Sequence, residues 1–162
     1  MPKNRVSVLM VCLGNICRSP LAEGVLRARA IERGLEKQLM IDSAGTADYH
    51  VGELPDWRAR EVALKHGFEL THLGRQFVRG DFKKFQTIFV MDQDNHQNVM
   101  KLAPTSEDRA KVRMLAKLDP ALRFGSTVKD PYYDGIEAFY TLYEQLVICL
   151  DVFLDEVFSP VK

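Results

Sequence analysis

The chain has 162 residues, 46% of them hydrophobic, and its 22 basic and 22 acidic residues give a formal net charge of zero. That length and apolar content suit one domain over residues 1–162 with one sizeable core, and the balanced charge leaves no global field to draw the protein onto nucleic acid or an anionic membrane, so any anion site must be local. Three cysteines, at 12, 17 and 149, are an odd number with no C-x2-C pair and no neighbouring His at ligand spacing, which disfavours a disulfide framework and a zinc site.

Lys3 and Arg5 precede an apolar run from Val6 to Leu13, but eight residues followed by Gly14-Asn15-Ile16-Cys17-Arg18 are too few for a signal peptide and read as a buried strand. No apolar run reaches membrane-spanning length, so a cytoplasmic protein that is neither in nor on a membrane is expected, and a monomer is assumed.

Val6 to Cys12 is β-branched and nearly all apolar, as a central parallel strand requires. A helix should follow, with Ser19 as N-cap and Pro20 at its first position. Its apolar face carries Ala22, Val25 and Leu26, its solvated face Arg27, Arg29, Glu32 and Arg33, and Gly34 ends it. Leu39 to Ala44 predicts a second strand running into Gly45. Asp56 to His66, capped by Asp56 and closed by Gly67, predicts a second helix, with Trp57 packed near its start. Thr87 to Met91 reads as a third strand, Asp92 as the start of another helix, and Val112 to Leu115 as a fourth strand. The last helix carries Phe139, Tyr143, Leu146, Leu150, Phe153 and Val157 at steps of three and four, a stripe suited to packing on a sheet. Alternating strands and helices predict a doubly wound α/β sheet with its ligand site at the carboxyl ends of the strands.

The first strand ends at Cys12, inside V-C-L-G-N-I-C-R-S-P. A tight loop of Leu13, Gly14, Asn15, Ile16, Cys17, Arg18 and Ser19 that turns into a helix N-terminus is a nest for an anion. Gly14 and Asn15 are residues that tolerate the positive φ it needs. Arg18 adds a planar fork for two phosphate oxygens, and the same positive environment favours the thiolate of Cys12. A cysteine at a strand end is commonly a small buried hydrophobe, and C-x5-R alone fixes two positions. The signal lies in strand, Cys, Gly-Asn turn, Arg, Ser and Pro in the order the chemistry requires.

At Cys12, Gly14, Asn15, Cys17, Arg18, Ser19 and Pro20 the sequence resembles the low-molecular-weight protein tyrosine phosphatases, whose loop reads C-x-G-N-x-C-R-S-P. The resemblance runs through Ser43-Ala44-Gly45-Thr46, His72 and Arg75 in H-x-x-R-Q, Met91-Asp92 and Asp130-Pro131-Tyr132-Tyr133. It implies a four-stranded parallel sheet of the flavodoxin-like kind, phosphotyrosine proteins as substrates, and catalysis without metal or other cofactor through a phosphocysteine on Cys12. It also implies a network of Asn15, Ser19, Ser43 and His72 supporting the loop, with Ser19 stabilising the Cys12 thiolate as it leaves. Asp130 is implied as general acid and base, Tyr132 as one aromatic wall, and Tyr49 as a second. Pro131 suits that role, because it holds Asp130 out of the helical region. One departure is Asp134 before Gly135, where the family commonly has Gly directly after the paired tyrosines.

His50, His66 and His96 have no constellation around them and read as core or surface residues, and Cys149 as an apolar-face residue of the last helix. Cys17 is the candidate redox partner of Cys12, since the two lie at opposite ends of one curled loop where a disulfide could span them. Three rival activities fit the same loop. Arsenate reduction needs relay thiols, and none lies between Cys17 and Cys149. Phosphoarginine hydrolysis is associated in the family with Thr before the second loop cysteine, where this chain has Ile16. A non-enzymatic phosphocysteine carrier must not hydrolyse its own phosphocysteine, which argues against the pairing of Arg18 with Asp130.

Overall fold

The computed structural model describes residues 5–158. In chain order the elements are β1 (Val6–Cys12), α1 (Arg18–Glu32), β2 (Leu39–Gly45), α2 (Trp57–Lys65), α3 (Asp81–Lys84), β3 (Thr87–Val90), α4 (Gln93–Met100), α5 (Ser106–Ala110), β4 (Val112–Met114) and α6 (Ile136–Phe158). The four strands pair in parallel in the order β2-β1-β3-β4. The strand order reverses between β1 and β3, so the crevice beyond their carboxyl ends is framed by Cys12 on one side and Met91-Asp92 on the other.

β1 is central because both of its faces are apolar. Val8, Met10 and Cys12 face a core shared with α1, α2 and α6, while Leu9 and Val11 face a second core with Phe77, Phe82, Phe85, Ile88 and Val90. Register is uninterrupted along β2, with Cys12 beside Gly45 and Met10 beside Ser43.

The predicted elements are present, with three corrections that bear on the site. First, α1 begins at Arg18, with Cys17 at the cap position and no side-chain cap, so Pro20 is the third helical residue. Ser19 does not cap the helix because its hydroxyl is committed to Asn15 and Cys12. Second, Trp57 opens α2 as its first residue but is 60% exposed instead of packed, while the expected cap Asp56 accepts from the Arg58 amide. Third, α6 buries Phe139, Leu146, Cys149, Leu150 and Phe153 as expected, but also Leu142 and Leu154, while Tyr143 is half-buried and Val157 exposed. The helix meets α1 and α2 as well as the sheet, where Phe153 packs edge-on against Phe89 at 5.1 Å, and this turns its buried face. Gly34 and Gly67 end their helices at φ of 69° and 89°.

Candidate active site

The loop from Cys12 to Ser19 links β1 to α1 and is buried except at Leu13 and Gly14. Positive φ occurs at Asn15 (58°), as its small polar side chain allows, but not at Gly14. Gly14 matters for its lack of a side chain instead: a Cβ there would stand 3.1 Å from the His50 ring. Gly45 is more demanding. Paired with Cys12 at the end of β2, it lets the loop lie directly on the strand, and a Cβ there would meet the Leu13 carbonyl oxygen at 2.7 Å.

The Cys12 sulfur, in a residue 2% exposed, lies 3.4 Å from the Ser19 amide nitrogen and 3.0 Å from Ser19 Oγ. Ser19 Oγ accepts from Asn15 Nδ2 at 2.7 Å, and the same Nδ2 donates to Ser43 Oγ at 3.0 Å. Ser43 in turn donates to Glu23 Oε1 at 2.6 Å. Asn15 Oδ1 accepts from His72 Nε2 at 2.8 Å and from the Arg75 amide at 3.0 Å. Behind this group, His72 Nδ1 stands 3.4 Å from both Glu23 Oε1 and Asp42 Oδ1, and Arg75 bridges Asp42 to the buried Asp81.

Arg18, 2% exposed, donates from Nη1 to Asp92 Oδ2 at 2.7 Å and to the Val128 carbonyl at 2.9 Å. Its Nη2 lies 3.8 Å from Asp130 Oδ2. Burial works against the guanidinium charge, yet Cys12, Asp92 and Asp130 together raise its pKa above the usual arginine value. Asp130 is half-exposed at the start of the segment leading to α6, and its Oδ1 accepts from the Tyr132 amide at 3.1 Å, a tight Asx turn before Pro131. Asp134, in the position where Gly was expected, closes that turn with its amide on the Pro131 carbonyl at 2.9 Å.

These groups meet in one cleft of about 280 Å³, lined by the loop, by Asp130 and by a rim of Tyr49, His50, Tyr132 and Tyr133. Tyr49 and Tyr132 both line it, as do Ile16 and Cys17. Burial, reinforced by Asp56 and Cys12, pushes the Cys17 thiol well above its ordinary value. Cys149 is remote, fully buried on α6 and raised by burial to about 11. His66 stacks on Tyr143 at 3.6 Å, away from the cleft lining.

Four contributors were not identified from the sequence. His50 shows no constellation in the sequence but lines the cleft, with Nδ1 3.1 Å from Oε1 of Glu53 three residues on. Tyr133 joins the rim at 93% exposure. Asp92 reads in the sequence as a helix start, and it does accept from the Asn95 amide, but its second oxygen holds Arg18. Glu23 is an acid on the buried side of α1, a signal that could have been found by asking why a carboxylate sits between Ala22 and Gly24 in an apolar face. Among the described residues, Glu23, Asp42 and His72 bring ligand atoms within 4.8 Å of one another, but those atoms are already taken up by Ser43, Arg75 and the imidazole contacts. Among the described residues no helix is long and apolar enough to cross a membrane.

A sulfur beside a fixed guanidinium, on a loop at a helix N-terminus and facing a carboxylate across a cleft, suits nucleophilic displacement on a tetrahedral oxyanion. The family model for low molecular weight phosphotyrosine protein phosphatase matches residues 7–159. A low molecular weight phosphotyrosine protein phosphatase of Gallus gallus is 40% identical over 151 residues, 93% of this chain and 94% of that one. Among solved structures, a protein tyrosine phosphatase of Entamoeba histolytica with Hepes in its active site superposes with a TM-score of 0.89 at 33% identity, covering 94% and 96% of the two chains. DARP, a Drosophila arginine phosphatase, superposes at 0.87 and 32% identity over 95% and 99%. The chain belongs to the low-molecular-weight phosphotyrosine protein phosphatase family.

Proposed function

We propose that the protein hydrolyses phosphotyrosine in proteins through a phosphocysteine on Cys12. The observation that carries this reading is the convergence of Cys12, Arg18 and Asp130 on one cleft with tyrosines at its rim. In the first step the Cys12 thiolate attacks phosphorus in line with the leaving oxygen, Arg18 holds two equatorial oxygens, and Asp130 gives its proton to the departing phenolate. In the second step water attacks the phosphocysteine, Asp130 takes its proton, and sulfur leaves as a thiolate that accepts the Ser19 hydroxyl proton in a hydrogen bond. The chain acts as a single cytoplasmic domain and as a monomer.

Aromatic rings at the mouth favour a flat aryl phosphate that extends to a buried sulfur. Phosphoarginine is the second reading, supported by the likeness to the Drosophila arginine phosphatase. Ile16 on the cleft lining favours tyrosine over arginine. The test is release of inorganic phosphate from matched phosphotyrosine, phosphoserine and phosphoarginine peptides by wild type and Cys12→Ser. Phosphotyrosine should be hydrolysed fastest and folded Cys12→Ser should be inert. Faster phosphoarginine turnover would reassign the substrate, and an active Cys12→Ser would remove the nucleophile.

A further inference from the structure

Asp130 sits on a segment with no regular secondary structure between Leu118 and Ile136, yet its carboxylate must be held within a fraction of an ångström to serve a leaving oxygen. Its direct contacts are few: the Tyr132 amide at 3.1 Å and the more distant Arg18 at 3.8 Å. Before Asp130 the segment is anchored at Val128, whose carbonyl accepts from Arg18 and whose amide donates to the Met91 carbonyl at 2.7 Å, so it is the side after Asp130 that needs a further anchor.

Arg58, on the first turn of α2, is placed to supply it. Its Nη2 donates to the Tyr132 carbonyl at 2.9 Å and its Nη1 to the Asp134 carbonyl, at 2.6 Å, so one guanidinium binds the segment at two points just after Asp130. The same group is itself fixed. Nε and Nη2 each lie 3.0 Å from a carboxylate oxygen of Asp56, and the plane lies 4.4 Å over the buried ring of Phe139. Asp56 is tied back to the sulfur's loop, because its amide donates to the Ile16 carbonyl at 2.8 Å. A continuous path thus runs from the loop of Cys12, through Asp56 and Arg58, to Tyr132, whose amide meets Asp130. Arg58 is only 16% exposed and does not line the cleft.

We propose that Arg58 is a positioning residue for the proton-transfer step: by binding the Tyr132 and Asp134 carbonyls it sets the distance between the Asp130 carboxylate and the Cys12 loop. The inference rests on Asp130 being the general acid. A planar fork is needed because the group must reach one carboxylate and two carbonyls at once, which an ammonium on a flexible stem cannot do.

The experiment compares kcat/KM, which reports the steps up to departure of the leaving group and not the later attack of water, for p-nitrophenyl phosphate, whose leaving group needs little protonation, and for phenyl phosphate, whose leaving group needs it strongly. The variants are Arg58→Met, Asp130→Asn and the double variant, each checked by thermal unfolding. Arg58→Met keeps the stem over Phe139 and loses the donors. It should cost roughly 10- to 100-fold on phenyl phosphate and less than about threefold on p-nitrophenyl phosphate. In the Asp130→Asn background it should cost nothing further on either. Equal loss on both substrates, no loss on either, or additive losses in the double variant would overturn the proposal. If Asp130→Asn alone shows no leaving-group dependence, the acid assignment itself fails and takes the proposal with it, whereas a selective Asp130→Asn beside an unselective Arg58→Met refutes only the role of Arg58. Should Arg58→Met not fold, Arg58→Lys carries the same comparison. A smaller loss confined to phenyl phosphate supports the proposal, and wild-type rates on both substrates overturn it.

Discussion

The Arg75 amide donates to Oδ1 of Asn15 at 3.0 Å, and a main-chain N–H can only donate, so the Asn15 side chain has a single allowed orientation. Nδ2 must then donate to both Ser19 and Ser43. Ser19 is left with its own proton for Cys12 Sγ at 3.0 Å or the Ala44 carbonyl at 3.4 Å, and a thiolate on Cys12 draws it to sulfur. Direction in this chain of bonds is set by a backbone group on the far side of the loop.

Ser19→Ala should therefore slow the step in which sulfur leaves more than the step in which it attacks. Rapid-quench assays should find a larger burst of nitrophenolate and more phosphate bound to protein in the variant, with steady-state turnover lower by roughly 10- to 100-fold. A slower variant with no added phosphoenzyme would place Ser19 outside the second step.

Gly45→Ala sets a Cβ against the Leu13 carbonyl oxygen at 2.7 Å and the Asn15 nitrogen at 3.1 Å, backbone atoms that cannot swing aside. Overpacking of this kind costs about 1–3 kcal/mol, and the loop must shift to relieve it, so activity should fall at least as sharply as stability. Gly80→Ala, with nothing within 4 Å of the added carbon, is the control and should leave melting temperature and turnover unchanged. Full activity in Gly45→Ala would show that the loop has slack.

Cys17 should close a disulfide with Cys12 after peroxide converts the Cys12 thiol to a sulfenic acid. The Cys17 thiolate attacks that sulfur and hydroxide leaves. Because burial raises the Cys17 thiol above its ordinary value, its thiolate is scarce at neutral pH, and closure should quicken by about tenfold per pH unit between roughly pH 7 and 9. Acid quench, alkylation and peptide mass spectrometry follow the bond. Wild type should regain activity with thiol reductant while Cys17→Ser should not, and equal recovery would show that Cys17 protects nothing.

Alkaline stability carries the mark of Cys149. Unfolded, this thiol ionises near 9.0, and folded it keeps its proton to about 11. The native state binds more protons across that window, so stability is fully present below it and falls as pH rises through it, by about 3 kcal/mol from this group. Cys17 acts in the same direction. Urea unfolding from pH 8 to 11 should show a shallower decline in Cys149→Ala than in wild type, and parallel declines would assign the alkaline limb elsewhere.

The strands and the loop were legible because each is written in consecutive residues. Val6 to Cys12 is apolar at every position but Ser7, and C-L-G-N-I-C-R-S-P carries its turn, cation and hydroxyl within one segment. What was not legible depends on side chains meeting from afar. Asp92 reaches Arg18 across 74 positions of sequence and Arg58 reaches Tyr132 across the same number, and neither residue differs locally from an ordinary helix cap or surface arginine. Ser19 departs from its expected role for a related reason. Ser before Pro is a good helix start, but the competing partners Asn15 and Cys12 take its hydroxyl, and the helix begins without it.

Arg18 is held on one edge by Asp92 and the Val128 carbonyl before any anion arrives. A long cationic side chain loses roughly 2 kcal/mol of rotamer freedom on being fixed, and here that loss accompanies folding instead of binding. The product of the proposed hydrolysis, inorganic phosphate, meets the same ready fork as the substrate and gains equally from it. Competitive inhibition by that product is therefore expected, so that turnover in a phosphate-rich medium should fall as free phosphate rises.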